Sequence, residues 1–459
     1  MGKKICISGA GTYGSYLANA ILENDPNTKI ILIDIGDKYI KSEKEIGFSS
    51  FSKKESYNAA TSGRFFGLGG TSAKWGGQLL FFSENDCNLD ASMDNIKQIN
   101  CTYKDRVLLR FFDKVPILEE KKVGRDLYIK SGIWLQFNKR NLFNYFQLSK
   151  NPNIEVITNA RVTYINYKNK IVDSITISKN GIEHNIQADI FYITCGALET
   201  MRLLAQSDFF NLEEETRGFA DHVSCRCFTV NQLPPILCGH NFTYKFVGAS
   251  LVTSRIIGEL DGLAFYMQPV FNEQFVFFQV LKNLIFKGKF SIIQLLSAAK
   301  QFLHLYPFIC NYILKKQLYV YKNWGINIDI EIKSSNNYIK NSTRKDSFGI
   351  QGIDIYFNIP ESTILKINKA KSIIRDLLIK DGVPFTEVAM NSTALKLEDT
   401  YHPYKMYSQK IGIQERFNPL DNLYVCHTGI LDRAGGLNPT AALFCMLEDH
   451  VERCYKNSL

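Results

Sequence analysis

The order of apolar and polar positions along the chain predicts alternating strands and helices. Residues 4–8 form a short apolar run of β type, and apolar residues at helical spacing follow at Leu17, Ala20, Ile21 and Leu22. The segment KIILID then forms a second β run, and glycines separate the first run from the helix. The start of the chain therefore predicts a strand, a glycine turn, a helix and a strand.

The pattern changes to short β runs over residues 154–194, where polar turns separate EVIT, RVTYINY, IVDSITI, HNIQA and IFYIT. We interpret them as a meander followed by a strand. Before them, RNLFNYFQL predicts a helix that ends at Asn151-Pro152-Asn153. After them, CGALETMRLLAQS repeats the glycine turn and amphipathic helix, and NLYVCHTG with RAGGLNPTAALFCMLEDHVERCY repeats the strand, glycine loop and helix.

The region from residue 224 to 417 predicts a substrate-facing part built on a sheet. Strands are expected at 326–332 and 353–358, a helical stretch near 281–317 and a helix at 362–381.

Composition indicates an ordered, folded chain of 459 residues with 45% hydrophobic and 22% charged residues. The formal net charge is +9, but the lysines are scattered, so we interpret them as a solvated surface and expect no nucleic-acid partner. The eleven cysteines lack a CxxC pair, and Cys6, Cys195, Cys426 and Cys445 lie in apolar runs, which favours buried thiols in a reducing compartment. Without an apolar stretch of about 18 residues, a cytoplasmic protein is expected.

The first glycine turn has the spacing of a dinucleotide-binding turn. Gly9, Gly11 and Gly14 follow a predicted strand and open a predicted helix, and Asp34 lies 20 residues after Gly14 at the end of the second strand. Such glycines permit a tight turn and a close approach of backbone to pyrophosphate, and the acid can bond ribose hydroxyls. Both FAD and NAD use this turn, so the rest of the chain must decide between them.

A second glycine-rich segment, GRFFGLGGTSAKWGGQ, has six glycines within residues 63–77. It predicts a loop rather than a regular element.

Taken in order, GAGTYGS with LIDIGD, GLGGTSAKWGG, the 154–194 meander, ITCGALETMRLL, GFADHVS, TYHPYKMY and NLYVCHTGILDRAGGLNPT resemble the glucose-methanol-choline (GMC) oxidoreductases. The resemblance implies an α/β fold. A Rossmann-type FAD-binding domain, with a parallel sheet and a β-meander, would comprise residues 1–82, 151–223 and 418–459. A discontinuous α+β substrate-binding domain on a largely antiparallel sheet would comprise residues 83–150 and 224–417.

The resemblance also implies FAD as the cofactor, without a metal. The positions that it assigns to FAD are Gly9, Gly11, Thr12, Tyr13, Gly14, Asp34, Gly69, Gly70, Thr71, Ser72, Gly76, Gly77, Val162, Gly196, Ala197, His427, Pro439 and Thr440. Val162 matches the position whose backbone faces adenine. Because no histidine occurs between residues 1 and 183, where the family's covalent link would lie, we expect FAD to be non-covalent.

For the chemistry, the resemblance places His402 of TYHPYKMY at the family's catalytic histidine and Asn438 of GLNPT at its second active-site residue. His402 would take the hydroxyl proton of an alcohol, Asn438 would orient the hydroxyl, and hydride would pass to flavin N5. Pro439 fits the first turn of a helix whose positive end would favour negative charge on the reduced flavin. Asp221 and His222 match the family's Asp-His pair, and we interpret that His as structural.

Two departures from the family pattern affect the site. YKMYSQ follows His402 where the family has Gly-Thr and Arg-Met, and His427 stands where a small polar residue is usual. Two interpretations of His427 stay open, namely contact with FAD and simple packing.

The expected partners are an alcohol, such as a sugar or polyol, and an electron acceptor such as oxygen or a quinone. For the aromatic and lysine-rich residues 281–321, a core-packing helix pair is favoured over contact with a membrane surface. Two other functions stay open: a non-redox flavin isomerase or lyase on the same scaffold, and a non-catalytic flavoprotein.

Overall fold

A computed structural model describes most of the chain. The described residues are 2–53, 57, 59–88, 90–124, 126–230, 236–270, 292, 296, 305–318, 324–389, 403–408 and 411–455.

The strands within these residues are β1 (Lys4–Ser8), β2 (Lys29–Ile33), β3 (Lys41–Ser42), β4 (Ser50–Ser52), β5 (Phe65–Phe66), β6 (Gln78–Leu79), β7 (Glu120–Lys122), β8 (Leu127–Trp134), β9 (Ile154–Ile157), β10 (Ala160–Lys168), β11 (Ile171–Lys179), β12 (Ile182–Ile186), β13 (Ile190–Ile193), β14 (Asp221–Val230), β15 (Ile236–Leu237), β16 (His240–Asn241), β17 (Lys245–Val247), β18 (Ser250–Leu260), β19 (Leu263–Val270), β20 (Trp324–Ile332), β21 (Tyr338–Lys345), β22 (Gln351–Tyr356), β23 (Phe385–Glu387) and β24 (Leu423–Val425).

The α-helices are α1 (Thr12–Asn24), α2 (Glu43–Ile46), α3 (Ala59–Ser62), α4 (Asp94–Leu109), α5 (Phe137–Arg140), α6 (Leu142–Tyr145), α7 (Ala197–Gln206), α8 (Leu212–Glu215), α9 (Leu305–Cys310), α10 (Ser362–Lys380), α11 (Ile413–Phe417) and α12 (Thr440–Tyr455). The predicted strands at 326–332 and 353–358 and the predicted helix at 362–381 correspond to β20, β22 and α10. Much of the stretch 281–317, where a helical segment was predicted, lies outside the described residues. In its described part, α9 is followed by a π-helical turn at Asn311–Lys315.

A five-stranded parallel sheet forms one part of the molecule, in the order β24-β13-β1-β2-β9. Four of the five residues of β1 and of β2 are buried, which fits the continuous apolar runs of strands covered on both faces. The strand order reverses at β1, because β2 and β9 lie on one side of it and β13 and β24 on the other. In such sheets, ligands bind at the carboxyl ends of the strands beside this switch point.

The meander predicted over residues 154–194 is partly wrong. The structure pairs β9 in parallel with β2, while β10, β11 and β12 alone form the antiparallel meander. A short apolar strand fits either arrangement locally, so only pairing with β2 distinguishes them.

The single helix predicted from RNLFNYFQL is partly wrong, because the segment is helical at α6 but is divided among the short helices α5 and α6 and a 3-10 turn at Leu148–Lys150. Asn141 ends the first turn and starts the next, since its side chain accepts a hydrogen bond from the backbone N–H of Asn144. Gln147 then has a left-handed backbone, with φ of 51°.

A larger antiparallel sheet has the order β23-β14-β20-β19-β18-β8-β6, with β17 beside β18 and β7 beside β8. Its two faces differ sharply. On one face, the buried Ile256, Met267, Ile328 and Ile330 alternate along β18 to β20, and α10 packs on β20. The opposite face carries polar side chains and faces the loop that precedes α12. The fold is therefore α/β, with one parallel sheet and one large antiparallel sheet, as expected.

Helix α12 packs against both α1 and α4, and a buried ion cluster lies where the three helices meet. The Glu448 carboxylate is fully buried, accepts a hydrogen bond from the Tyr16 hydroxyl at 2.6 Å, and pairs with Arg106 at 2.9 Å and with Arg110 at 3.1 Å. The predicted division into two domains assigns α4 and α12 to different domains, and that division stays a prediction. None of the helices in the described part of the chain is long and apolar enough to cross a bilayer.

We expect Glu448→Gln to lower the free energy of unfolding by roughly 3 kcal/mol, because it removes the fully buried carboxylate that pairs with the Arg106 and Arg110 guanidinium groups. Urea unfolding of the variant and the wild type measures this difference. The matched control is Glu452→Gln, since Glu452 pairs with Arg106 near the surface at 3.3 Å and should cost less than about 1 kcal/mol. Equal losses in the two variants would contradict a structural role for the buried cluster.

Candidate active site

The first glycine turn follows β1 directly at the switch point of the parallel sheet. Gly9 has φ of +104°, a backbone conformation that favours glycine, and its N–H donates to the Ile33 carbonyl at 2.7 Å. A Cβ on Gly14 would lie 1.9 Å from the Gly9 carbonyl oxygen. Neither residue can carry a side chain without moving this turn, as the dinucleotide interpretation requires.

The second glycine loop crosses the first. The Gly69 N–H donates to the Ala10 carbonyl at 2.9 Å, and a Cβ on Gly70 would lie 2.9 Å from the Cα of Gly11. The structure thus brings together two loops that are separated by more than fifty residues of sequence. Both of these contacts involve backbone atoms, and exposed backbone N–H groups in such glycine loops can bind an anionic ligand.

Four further residues predicted for the second loop have mainly structural contacts. The Ser72 hydroxyl donates to the Gly69 carbonyl at 2.6 Å, and Thr71 Oγ1 accepts a hydrogen bond from the Phe65 N–H at 3.4 Å. A Cβ on Gly76 would lie 2.4 Å from the Trp134 ring, and Gly77 has φ of +76°. These glycines let the loop lie flat against β8.

Asp34 lies just after β2 and is nearly buried, at 7% exposure. Its carboxylate accepts hydrogen bonds from the N–H of Ala10 at 2.9 Å and of Gly36 at 2.8 Å. Burial nevertheless raises the pKa of Asp34 above its ordinary value. A carboxylate has about four lone-pair positions, so these bonds leave acceptor capacity for a ribose hydroxyl.

The loop after β13 opens onto free space. Gly196 has φ of +81°, and no heavy atom lies within 4 Å of the place where its Cβ would stand. Ala197 follows as the buried first residue of α7. Val162 lies on β10 of the meander, where the β10–β11 register shifts between Val162 and Tyr164. This irregularity interrupts regular strand pairing next to Val162.

The start of α12 fixes the orientation of Asn438. Its Oδ1 accepts hydrogen bonds from the Thr440 hydroxyl at 2.9 Å and from the Thr440 N–H at 3.4 Å, which is the geometry of an N-cap. The Pro439 carbonyl accepts the first helical bond, from Leu443. The Asn438 amino group has no hydrogen-bond partner among the described residues, and the side chain is half-buried. Capping and donation to a ligand are therefore compatible.

A buried ion pair holds the loop before Asn438 against the large sheet, and the sequence alone did not point to it. Glu331, on β20, accepts hydrogen bonds from Arg433 Nη2 at 2.7 Å and from the Gly435 N–H at 2.9 Å. Arg433 also pairs with Glu259 of β18 at 2.6 Å. The alternation of acids with apolar residues along β18 and β20 is a signal that could have indicated this face.

Polar side chains cover the same face beside this loop, and sequence reasoning missed them as well. Arg255 Nη2 donates to Gln78 Oε1 at 2.7 Å, Arg255 Nη1 donates to the Gly436 carbonyl at 3.3 Å, and Gln78 Nε2 donates to the Thr253 hydroxyl at 2.9 Å. Gln78 directly follows Gly77, and Gly436 precedes Asn438 by two residues. Arg255 therefore joins the second glycine loop to the Asn438 loop.

Asp329 also lies on this face, 2% exposed, and its Oδ2 atom has no hydrogen-bond partner among the described residues. Burial raises the pKa of Asp329 to about 6, even though His222, Ser224 and Arg255 favour its charged form. A buried carboxylate that titrates near neutrality costs stability when it ionises.

His427 and Tyr13 lie beside the parallel sheet with protein partners. His427 is fully buried, and burial lowers its pKa to about 3, so its ring stays neutral. Its Nδ1 accepts from the Gly429 N–H at 3.1 Å, and its Nε2 lies 3.4 Å from the Tyr407 hydroxyl. Tyr13, which follows the first helical residue Thr12, packs edge-on against Phe444 at 6.0 Å. Contacts of these side chains with FAD stay predictions.

His402, the predicted base, lies outside the described residues. The described segment resumes at Pro403, and Tyr404 exchanges two backbone hydrogen bonds with Ala220, both at 2.9 Å. Asp221 and His222 follow Ala220 on β14. Although burial opposes protonation, the Asp221 carboxylate, 3.2 Å from Nδ1, raises the pKa of the buried His222.

Comparison with known proteins identifies the fold. No family model matches the chain, and no curated protein matches its sequence. A pyridoxine 4-oxidase from Mesorbium loti superposes with a TM-score of 0.59 at 14% identity, over 98% of this chain and 99% of that chain. A formate oxidase from Aspergillus oryzae gives 0.52 at 11% identity over 99% of both chains, and a fungal aryl-alcohol oxidase gives 0.51 at 12% over 98% of both. These neighbours are GMC oxidoreductases, so the chain has the fold of that family, as its sequence predicted.

We expect Gly14→Ala to abolish binding of a flavin dinucleotide, because the added Cβ would collide with the Gly9 carbonyl oxygen. The visible absorbance of the purified protein measures flavin content, and circular dichroism verifies the fold. The control is Gly124→Ala, whose Cβ would lie at least 3.5 Å from its neighbours. A folded Gly14→Ala protein with a full complement of flavin would disprove the dinucleotide turn.

We expect Asp329→Asn to stabilise the protein at high pH and to change little at low pH. The folded-state pKa of Asp329 is raised, so its contribution to stability is complete below pH 3.8 and is lost as pH rises through about 6. At pH 8 the variant should gain up to about 3 kcal/mol, since each unit of pKa corresponds to about 1.4 kcal/mol.

Urea unfolding at pH 4 and pH 8 measures this gain, with the exposed Asp173→Asn as control. The same difference between variant and wild type at both pH values would be inconsistent with a raised pKa.

Proposed function

We propose that the protein is a FAD-dependent oxidoreductase of GMC type that oxidises an alcohol. The observation that carries the proposal is the convergence of three segments: two glycine loops pack backbone to backbone, and Arg255 joins the second of them to the loop that ends in Asn438. The solved neighbours with this fold are named as oxidases, two of them for pyridoxine and aryl-alcohol substrates.

The residues at the switch point fit FAD. A Cβ on Gly70 would lie 2.9 Å from the Cα of Gly11, and the space beside Gly196 is open, so glycine backbone would line the binding site. Asp34 retains acceptor capacity for a ribose hydroxyl. When bound, FAD supplies the acceptor for the hydride of the alcohol carbon. We propose that it is held non-covalently because no histidine precedes His184, although FAD modification is studied in one neighbour, a formate oxidase.

Two side chains would handle the hydroxyl group. Asn438 would donate a hydrogen bond to the alcohol oxygen, since its Oδ1 is occupied by Thr440 and its amino group is not. His402 would accept the hydroxyl proton, for which an imidazole with an ordinary pKa near 6.5 is suited at neutral pH. The N-terminus of α12 adds a positive dipole end beside Asn438, which favours negative charge that develops there.

The substrate we propose carries several polar groups, such as a sugar or polyol. The wall that faces Asn438 presents side-chain amides and hydroxyls that each donate and accept hydrogen bonds, including Gln78, Thr253, Gln268 and Asn327. A soluble acceptor such as oxygen, or a quinone, would take the electrons from the reduced cofactor.

Under anaerobic conditions, a substrate should bleach the oxidised flavin band, and His402→Ala should slow that step by about 10²-fold or more. Asn438→Ala should slow it as well, because the hydroxyl loses its orienting donor. Stopped-flow absorbance measures both rates, with the exposed His184→Ala as control. A bleaching rate in His402→Ala equal to that of the wild type would remove His402 from its role, and turnover without any acceptor would favour an isomerase or lyase instead.

A further inference from the structure

We propose that Arg255 binds a carboxylate group of the substrate, so that the preferred substrate among the polar alcohols proposed above is a hydroxy acid, such as a sugar acid. The inference rests on the proposed function, because it concerns the same site. The observation behind the inference is the charge on the polar face of the large sheet, here called the polar wall, which carries Gln78, Thr253, Arg255, Gln268 and Asn327.

Arg255 differs from every other buried arginine in the described part of the chain. Five of these six arginines have a carboxylate oxygen within 4.0 Å: Arg64 with Glu199, Arg161 with Asp346, Arg202 with Glu199, Arg416 with Asp432 and Arg433 with Glu331. The sixth, Arg255, is 4% exposed and has no carboxylate at that distance among the described residues. Because a buried guanidinium is costly without an anion, its site is electrostatically incomplete.

The described partners of Arg255 are neutral. Its guanidinium donates to Gln78 Oε1 at 2.7 Å, to the Gly436 carbonyl at 3.3 Å and to Gln268 Oε1 at 3.5 Å, and it lies over the Tyr266 ring at 4.1 Å. These three bonds use three of the five N–H donors of a guanidinium. Donor capacity and positive charge therefore both remain for a ligand.

Asp329 does not complete the site. It lies on β20 opposite Tyr266 of β19, whereas Arg255 extends from β18, so the Tyr266 ring lies between the two charges. The Asp329 carboxylate acts on Arg255 over a distance rather than as an ion pair. A substrate carboxylate could form the bidentate contact that a planar guanidinium favours.

The position of Arg255 couples this charge to the proposed chemistry. Its two strongest links lead to Gln78, directly after the second glycine loop, and to Gly436, two residues before Asn438. A small molecule with its hydroxyl at Asn438 would thus place a nearby carboxylate at Arg255. In the proposed oxidation, the hydride and the proton would leave the alcohol group as described above, the carboxylate would be unchanged and an oxo acid would result.

Matched pairs of acid and neutral alcohols test this specificity, for example gluconate against glucitol and glycolate against ethylene glycol. We expect kcat/KM for the better acid to exceed that for its neutral partner by about 10²-fold in the wild type, because the acid completes a buried ion pair. In Arg255→Gln the ratio of kcat/KM for the acid to kcat/KM for its neutral partner should fall to about one, mainly through a rise in KM for the acid. Arg255→Lys should keep part of the preference, and the exposed Arg217→Gln should keep all of it.

A binding experiment decides the inference without turnover. Butanoate and butanamide, which lack a hydroxyl group, are titrated into the purified holoprotein, and thermal stability and flavin absorbance report binding. We expect butanoate to bind the wild type at least tenfold more tightly than Arg255→Gln, and butanamide to bind both alike. Equal affinity of butanoate for folded wild type and Arg255→Gln would overturn the carboxylate site. If butanoate binds as expected and no alcohol bleaches the flavin, the proposed oxidation fails while the carboxylate site stands.

Discussion

The two glycine loops approach each other so closely that their contact constrains both the turn after β1 and the large sheet. Gly70 meets Gly11 with no room for a Cβ, and Gly14 meets the Gly9 carbonyl in the same way. Because the second loop leads directly into β6, which pairs with β8, this contact also sets where the large antiparallel sheet lies relative to the parallel sheet. A side chain at the crossing would displace both the glycine loops and the sheet that faces them.

A buried ion pair fixes the other side of the candidate site. The buried pair of Glu331 and Arg433 holds the loop before α12 against the large sheet, and Asn438 then caps that helix. As a result, an ion pair that does not itself contact Asn438 helps to position this residue, which is proposed to bind substrate. The large sheet serves two purposes with its two faces, since the apolar face packs under α10 and the polar face forms the wall of the site.

The sequence predicted those parts of the protein that depend on local spacing. Gly9, Gly14 and Asp34 lie within one strand–turn–helix–strand unit, so their arrangement follows from the chain geometry of that unit. The prediction from sequence failed for β9, whose apolar residues fit a meander equally well. It also failed for the extent of the helix around Asn141, because this side chain caps a new short helix. In both cases a partner or cap outside the periodic pattern decided the structure.

By itself, the sequence thus determined an α/β dinucleotide fold and the identity of the residues that resemblance assigns to its cofactor and chemistry. Only the tertiary structure decided which charged side chains share the polar wall. Arg255, Asp329 and Glu331 come from different strands, and their proximity depends on strand order and register rather than on spacing along the chain. Since a shift of one residue would turn each of these side chains to the apolar face, long-range pairing alone could place them at the site.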